Sequence, residues 1–161
     1  CTYIGNSVGN LNYNLLNKYA NASIWLALSV GVCIFMVIFV GRDFVLGLYT
    51  QEEEVLENVK LAFPFYLSFI IIDYLTVTVC GINKGLGRYK EITFFLLIGM
   101  YVFGIPNYLF FGFFLKMEIQ GLWLAFAINS LLLLVGYVYI LKRKPIEQTI
   151  SEYSVKLKMI K

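Results

Sequence analysis

The sequence of 161 residues contains no histidine, three cysteines and only 14% charged residues. Without histidine, the chain offers no Ser-His or Cys-His nucleophile, no HExxH zinc motif and no His-ligated haem. Cys1, Cys33 and Cys80 are odd in number and show no CxxC spacing, so they predict neither a disulfide framework nor a zinc site. We therefore expect no enzyme, no metal and no cofactor.

Two further features are missing. The chain begins at Cys1 rather than Met, and its first twenty residues lack the basic region, short apolar segment and cleavage site of a signal peptide. The net charge of +3 is small and scattered, whereas nucleic-acid binding requires a dense basic stripe. We expect a segment of a longer protein, without a nucleic-acid partner.

Long uncharged runs make up most of the sequence. In total, 60% of the residues are apolar, and the mean hydropathy is +0.75. Four runs of 23 or 24 residues carry no charge apart from one aspartate: Tyr19–Gly41, Leu61–Asn83, Ile92–Leu115 and Ile119–Leu141. A helix of this length reaches roughly 35 Å and crosses a hydrocarbon core about 30 Å thick. Buried helices of a water-soluble fold would instead carry one polar face. The sequence predicts an all-α transmembrane fold with four membrane-spanning helices.

Basic residues are distributed unequally between the two sides of these spans. Both chain ends and the 84–90 loop fall on one side, which carries all but three of the 13 basic residues. The exceptions are Arg42, Lys60 and Lys116. The positive-inside rule therefore places the N-terminal segment, the 84–90 loop and the C-terminus in the cytoplasm. The predicted parts are a cytoplasmic segment 1–18, a four-helix transmembrane region 19–141 and a basic cytoplasmic tail 142–161.

Local signals predict where these helices start and bend. The sequence from Thr50 to Glu53 is a capping-box pattern, which predicts a helix start near Gln51. Pro64 and Pro106 lie inside the second and third spans, and each removes a backbone donor. We expect both prolines to bend or loosen their helices.

Glycines and basic residues mark the end of the second span. Gly85 or Gly87 is expected to end that helix in a left-handed turn, with Lys84, Arg88 and Lys90 anchoring the turn at lipid headgroups. The same residues lack the Walker spacing GxxxxGK[ST], so nucleotide binding is not expected.

Asp73 requires a functional explanation, because a carboxylate near mid-span costs about 2.5 to 3.5 kcal/mol on insertion scales. At helical spacing its face includes Tyr66, Thr76, Cys80 and Asn83, a narrow polar stripe that belongs against protein or water. A carboxyl group there can bind and release a proton, or exchange it for a small cation. The alternative is a permanently protonated Asp73 that donates an interhelical hydrogen bond.

Asn107 and Asn129 lie in the third and fourth spans, where each amide needs a partner. Either residue can contact a transported substrate, or simply bond a neighbouring helix, which is the plainer interpretation. Tyr66 and Asn107 are the candidate residues of a substrate pathway.

A series of patterns resembles the C-terminal part of multidrug and toxic compound extrusion (MATE) transporters, especially eukaryotic ones, from the end of helix eight to helix twelve. In order, these patterns are Gly5–Gly9, Leu48–Thr50 with the acidic run after it, Pro64, Asp73, Lys84–Gly87, Val102–Pro106 and Gly121–Leu124. Thr76 departs from the family, in which glutamine is common three residues after the aspartate.

This resemblance implies that the four spans form most of one six-helix lobe in a twelve-helix antiporter, and that 1–18 holds the cytoplasmic end of a preceding helix and a loop. It implies export of organic cations, drugs or metabolites in exchange for protons or sodium ions, with Asp73 and Thr76 binding the coupling cation. The implied partners are the lipid bilayer, a small organic substrate and an N-terminal lobe, in the plasma or vacuolar membrane. A related lipid-linked oligosaccharide flippase and a non-transporting membrane scaffold are the alternatives.

Overall fold

The computed structural model describes residues 1–49 and 53–143 and the single positions 148, 149, 151 and 155. Thr50, Gln51 and Glu52 of the predicted capping box lie outside the described residues, as does most of the 142–161 tail. Within the described parts, every regular element is a helix.

Seven α-helices and two π-helical segments make up these parts. The α-helices are α1 (Thr2–Gly9), α2 (Tyr13–Val40), α3 (Arg42–Tyr49), α4 (Glu53–Gly85), α5 (Tyr89–Leu97), α6 (Ile105–Leu109) and α7 (Glu118–Arg143). The π-helical segments are Ile98–Gly104 and Phe110–Phe114, and they lie on either side of α6.

Four helical spans are long and apolar enough to cross a membrane, which confirms the predicted fold class. They are Tyr13–Val40, Leu56–Gly85, Tyr89–Phe114 and Glu118–Arg143. Most of their ends lie beyond the uncharged runs, because the helical backbone continues through polar flanking residues such as Lys18. The protein is an integral, multi-pass membrane protein.

The central helix of the bundle is α4, which packs most extensively on α7 and also contacts α2. Buried apolar residues join α4 to α1 and α2 around Leu16 and Ile82, and join it to α5 and α7 around Ile92. Apolar side chains such as Trp25 and Val37 remain exposed on the outer face of α2. Such a surface suits lipid or further helices as its surroundings.

The third span, Tyr89–Phe114, contains wide helical turns around Pro106. The Ile105 N–H donates to the Met100 carbonyl, five residues back, as in a π-helix. The predicted loosening at Pro106 is therefore confirmed. In contrast, α4 continues through Pro64 without interruption.

Arg88 does not anchor the α4–α5 turn at lipid headgroups, and that prediction is wrong. Gly87 forms the left-handed turn as predicted, with φ of 80°. The Arg88 side chain, however, is only 7% exposed. Its Nη1 lies 3.1 Å from the Ile140 carbonyl and 3.4 Å from Asn83 Oδ1, and its Nη2 donates to Thr149 Oγ1 at 3.0 Å. The open carbonyl groups near the end of α7 supply acceptors that a planar guanidinium can reach.

We expect Arg88→Lys to reduce the free energy of unfolding by about 1–3 kcal/mol, because an ammonium cannot reach all these acceptors and leaves buried ones unpaired. Thermal unfolding in detergent would measure the effect. Lys90→Arg is the matched control, since Lys90 is exposed in the first turn of α5, close to Arg88 in the sequence. Equal melting temperatures for Arg88→Lys and wild type would contradict the structural role of Arg88.

Candidate functional site

A cavity of about 480 Å³ is lined by residues of α4, the third span and α7. This volume falls within the range of small-molecule binding sites. The apolar part of the lining includes Phe69, Met100, Phe126 and Leu133. The polar part includes Asp73, Thr76, Lys84, Tyr108, Asn129 and Ser130. The cavity therefore combines an aromatic wall with a small set of convergent polar groups.

Asp73 contacts one hydroxyl group across the α4–α7 contact, that of Ser130. Ser130 Oγ lies 3.3 Å from Asp73 Oδ1 and 3.1 Å from Thr76 Oγ1. Thr76 Oγ1 lies 2.8 Å from the Ile72 carbonyl oxygen and 3.1 Å from that of Ser130. The structure thus brings the predicted pair Asp73 and Thr76 together through Ser130, a residue of the facing helix.

The three side chains can respond to the protonation state of Asp73. The Ser130 hydroxyl has one proton, which it can donate to an ionised Asp73. A protonated Asp73 can instead donate to Ser130 Oγ, and the Ser130 proton can then turn toward Thr76 Oγ1. Thr76 in turn can donate to a backbone carbonyl. The arrangement can therefore accommodate both the charged and the neutral carboxyl group without leaving a hydroxyl unpaired.

The predicted polar stripe of α4 packs against α7 along much of its length. Asn83 is fully buried, and its Nδ2 lies 3.1 Å from the Tyr137 carbonyl and 3.0 Å from that of Val79. Thr76 is also buried, at the level of Ser130. Because these contacts fix the rotation of α4, they direct Asp73 and Cys80 toward the cavity.

The two predicted substrate-pathway residues lie away from this cavity lining. The Tyr66 ring packs edge-on against Trp123, with ring centroids 4.6 Å apart. Asn107 is half-buried, and its neighbour Tyr108 rather than Asn107 lines the cavity. The structure therefore does not bring Tyr66 or Asn107 together with Asp73, and their roles remain predictions.

Asn129 has a bond to a neighbouring helix and also an unpaired atom. Its Nδ2 lies 3.5 Å from the Tyr108 hydroxyl oxygen, so it bridges α7 to α6 as the simpler interpretation expected. Its side chain is 5% exposed, yet its Oδ1 has no hydrogen-bond partner among the residues that the structure describes. A buried acceptor without a donor costs free energy, so it calls for an explanation.

Sequence reasoning missed Ser130 and the place of Lys84 in this cavity. Ser130 directly follows Asn129, and this adjacent polar pair stands out in an uncharged run of apolar residues. That pairing is a usable signal, because polar side chains within a span usually face protein. The oxygens of Asp73, Thr76 and Ser130 are of the type that hard cations prefer. Among the described residues, no group of three His, Cys, Asp or Glu side chains forms a metal site.

Comparisons with known proteins agree with this architecture. The family model MatE matches residues 1–109. Protein DETOXIFICATION 14 of Arabidopsis thaliana is 27% identical over 87% of this chain, and Multidrug and toxin extrusion protein 1 of Danio rerio is 26% identical over 76%. An uncharacterized transporter of Schizosaccharomyces pombe is 29% identical over 80%. The chain spans only 29%, 21% and 24% of these three relatives, respectively.

The fold has a counterpart among solved structures. The crystal structure of the eukaryotic MATE transporter AtDTX14 superposes with a TM-score of 0.84 at 23% sequence identity. The alignment covers 94% of this chain and 34% of the solved chain. The four spans are therefore arranged as in part of that larger helical protein.

Proposed function

The chain belongs to the MatE family, and from that premise we propose that it forms part of a secondary active antiporter. The proposed substrates are organic cations, drugs or metabolites, which the antiporter exports in exchange for protons or sodium ions. Its remaining helices would come from an N-terminal lobe, because the relatives are several times longer than this chain.

The observation that carries the proposal is the carboxyl group of Asp73, which lies within a membrane-spanning helix and lines a cavity of about 480 Å³. Ser130 supplies a hydroxyl partner to this carboxyl group, and the same hydroxyl also contacts Thr76, at the distances given above. Proton or sodium binding at Asp73 changes the charge of the cavity. A charge change that favours one access state over the other couples the ion gradient to substrate export.

The orientation and location of the protein also belong to this proposal. The excess of basic residues supports a cytoplasmic location for the N-terminal segment, the 84–90 loop and the C-terminus. Plasma and vacuolar membranes both fit a detoxifying exporter. Cysteine accessibility to an impermeant reagent in intact cells would test the orientation, with Lys90→Cys expected to stay unlabelled.

Proteoliposomes test the transport function. The natural protein that carries this chain would be purified and reconstituted, and efflux of a fluorescent organic cation would be followed under a proton gradient or a sodium gradient. We expect one of the two gradients to drive efflux well above that of protein-free liposomes. If neither gradient drives any tested cation, the antiporter proposal fails, and the flippase and scaffold hypotheses take its place.

A further inference from the structure

We propose that Asn129 Oδ1 is a specificity-determining acceptor that makes the cavity favour ammonium ligands bearing N–H groups over quaternary ammonium ligands. This inference rests on the proposed function only in placing an organic cation in this cavity. It assigns to Asn129 a role that neither the polar stripe of α4 nor the Asp73 contacts require.

The first step of the argument is the unpaired oxygen. Asn129 Nδ2 is turned toward Tyr108, which leaves Oδ1 buried and without a donor among the described residues. Removing an acceptor from water without a replacement bond costs about 1–3 kcal/mol. Asn129 is one of the residues that line the cavity, so we infer that a rotation of its amide group brings this oxygen to a ligand donor there.

The second step is the sign of the charge that surrounds Asn129. Asn129 directly precedes Ser130, whose hydroxyl lies 3.3 Å from the Asp73 carboxylate. The polar groups at this end of the cavity are thus mainly acceptors, and one of them is negative when Asp73 is ionised. Lys84, eleven residues further along α4, lies roughly 16 Å away along the helix axis. A cation therefore binds best at the Asp73 end.

The third step separates an organic ammonium from a bare metal ion. A cavity of about 480 Å³ is far larger than one ion, and much of its lining is apolar. Phe69, Phe126 and Tyr108 present aromatic rings that suit an organic body and attract positive charge. A primary or secondary ammonium can donate to Asp73 and to Asn129 together. A quaternary ammonium has no N–H and leaves the Asn129 oxygen unpaired.

The test compares two probes of nearly the same shape, 2-phenylethylammonium and its N,N,N-trimethyl analogue. Binding of each probe to the purified natural protein in detergent would be measured by titration calorimetry, without any ion gradient. The decisive quantity is the ratio of the two dissociation constants. Asn129→Leu removes the acceptor at similar volume, and we expect it to shift this ratio about tenfold toward the trimethyl probe.

Two further variants separate the effect of Asn129 Oδ1 from that of the Asn129–Tyr108 hydrogen bond. Tyr108→Phe removes the same interhelical hydrogen bond but keeps both the aromatic ring of the cavity wall and Asn129 Oδ1, so the ratio should stay within about threefold of wild type. Asn129→Asp keeps an oxygen acceptor in nearly the same shape and should also retain the preference. Size-exclusion profiles and melting temperatures identify any variant that fails to fold. If Asn129→Leu fails to fold, the probe ratios of Asn129→Asp and Tyr108→Phe are compared with that of the wild type instead.

The outcomes are distinguishable from those of the transport experiment. A ratio that Asn129→Leu leaves unchanged, or that Asn129→Asp loses, overturns the inference even if a gradient drives export. Loss of sodium binding in Asn129→Leu with an unchanged probe ratio also overturns it, because the amide then serves the coupling ion. A shifted ratio without gradient-driven export supports the inference and contradicts only the antiporter proposal.

Discussion

Asp73→Asn is expected to reduce gradient-driven export by about tenfold or more, because coupling requires a group whose charge differs between the two access states. Asparagine keeps the size and hydrogen-bonding capacity of a protonated aspartate, but it cannot ionise. The variant therefore mimics one protonation state permanently. Export would be measured in proteoliposomes, under the gradient that drives the wild-type protein.

Ser130→Ala is the matched control for this prediction. It removes the hydroxyl that lies 3.3 Å from Asp73 Oδ1, yet it leaves the carboxyl group in place. We expect export by this variant to fall less than that of Asp73→Asn and to remain gradient-dependent. If Asp73→Asn folds normally and exports against a gradient as well as wild type, Asp73 is a structural hydrogen-bond donor and not the coupling residue.

The sequence predicted the spans well, because lipid penalises charge over the whole length of a crossing helix. A flanking charge such as Lys142 therefore marks the end of its helix closely, whereas α2 already begins at Tyr13, before Lys18. The polar stripe on α4 was predictable for a related reason. Asp73, Thr76 and Asn83 share one helix face, and an apolar solvent forces such a face toward protein.

The partners of that stripe could not be predicted, because α7 is apolar around most of its circumference. Sequence alone does not fix how such a helix rotates, so the contacts of Ser130 with Asp73 and Thr76 appear only in the structure. Arg88 was misplaced for a similar reason. A basic residue after a helix end usually reaches the headgroups, and its burial here depends on the distant Ile140 carbonyl.

Gly121→Ala is expected to cause the largest loss of stability, about 3 kcal/mol, because the added methyl group meets backbone rather than a movable side chain. Gly121 is buried in α7 near its start, where this helix packs against the end of the third span. A Cβ atom at this position would lie 2.6 Å from the Phe111 carbonyl carbon and 2.8 Å from Met117 Cβ. Real Cβ atoms essentially never make such short contacts, so the two spans would have to separate.

Gly81→Ala provides the contrasting case for this prediction, since a Cβ atom at Gly81 would meet nothing within 4 Å. Gly81 lies inside α4, where alanine is favoured over glycine by roughly 0.5–1 kcal/mol. Thermal unfolding in one detergent should therefore show a large decrease in melting temperature for Gly121→Ala, and no decrease for Gly81→Ala. Equal melting temperatures for the two variants would mean that the third span and α7 do not approach as closely as described. The Gly121–Leu124 pattern would then need an explanation other than helix contact.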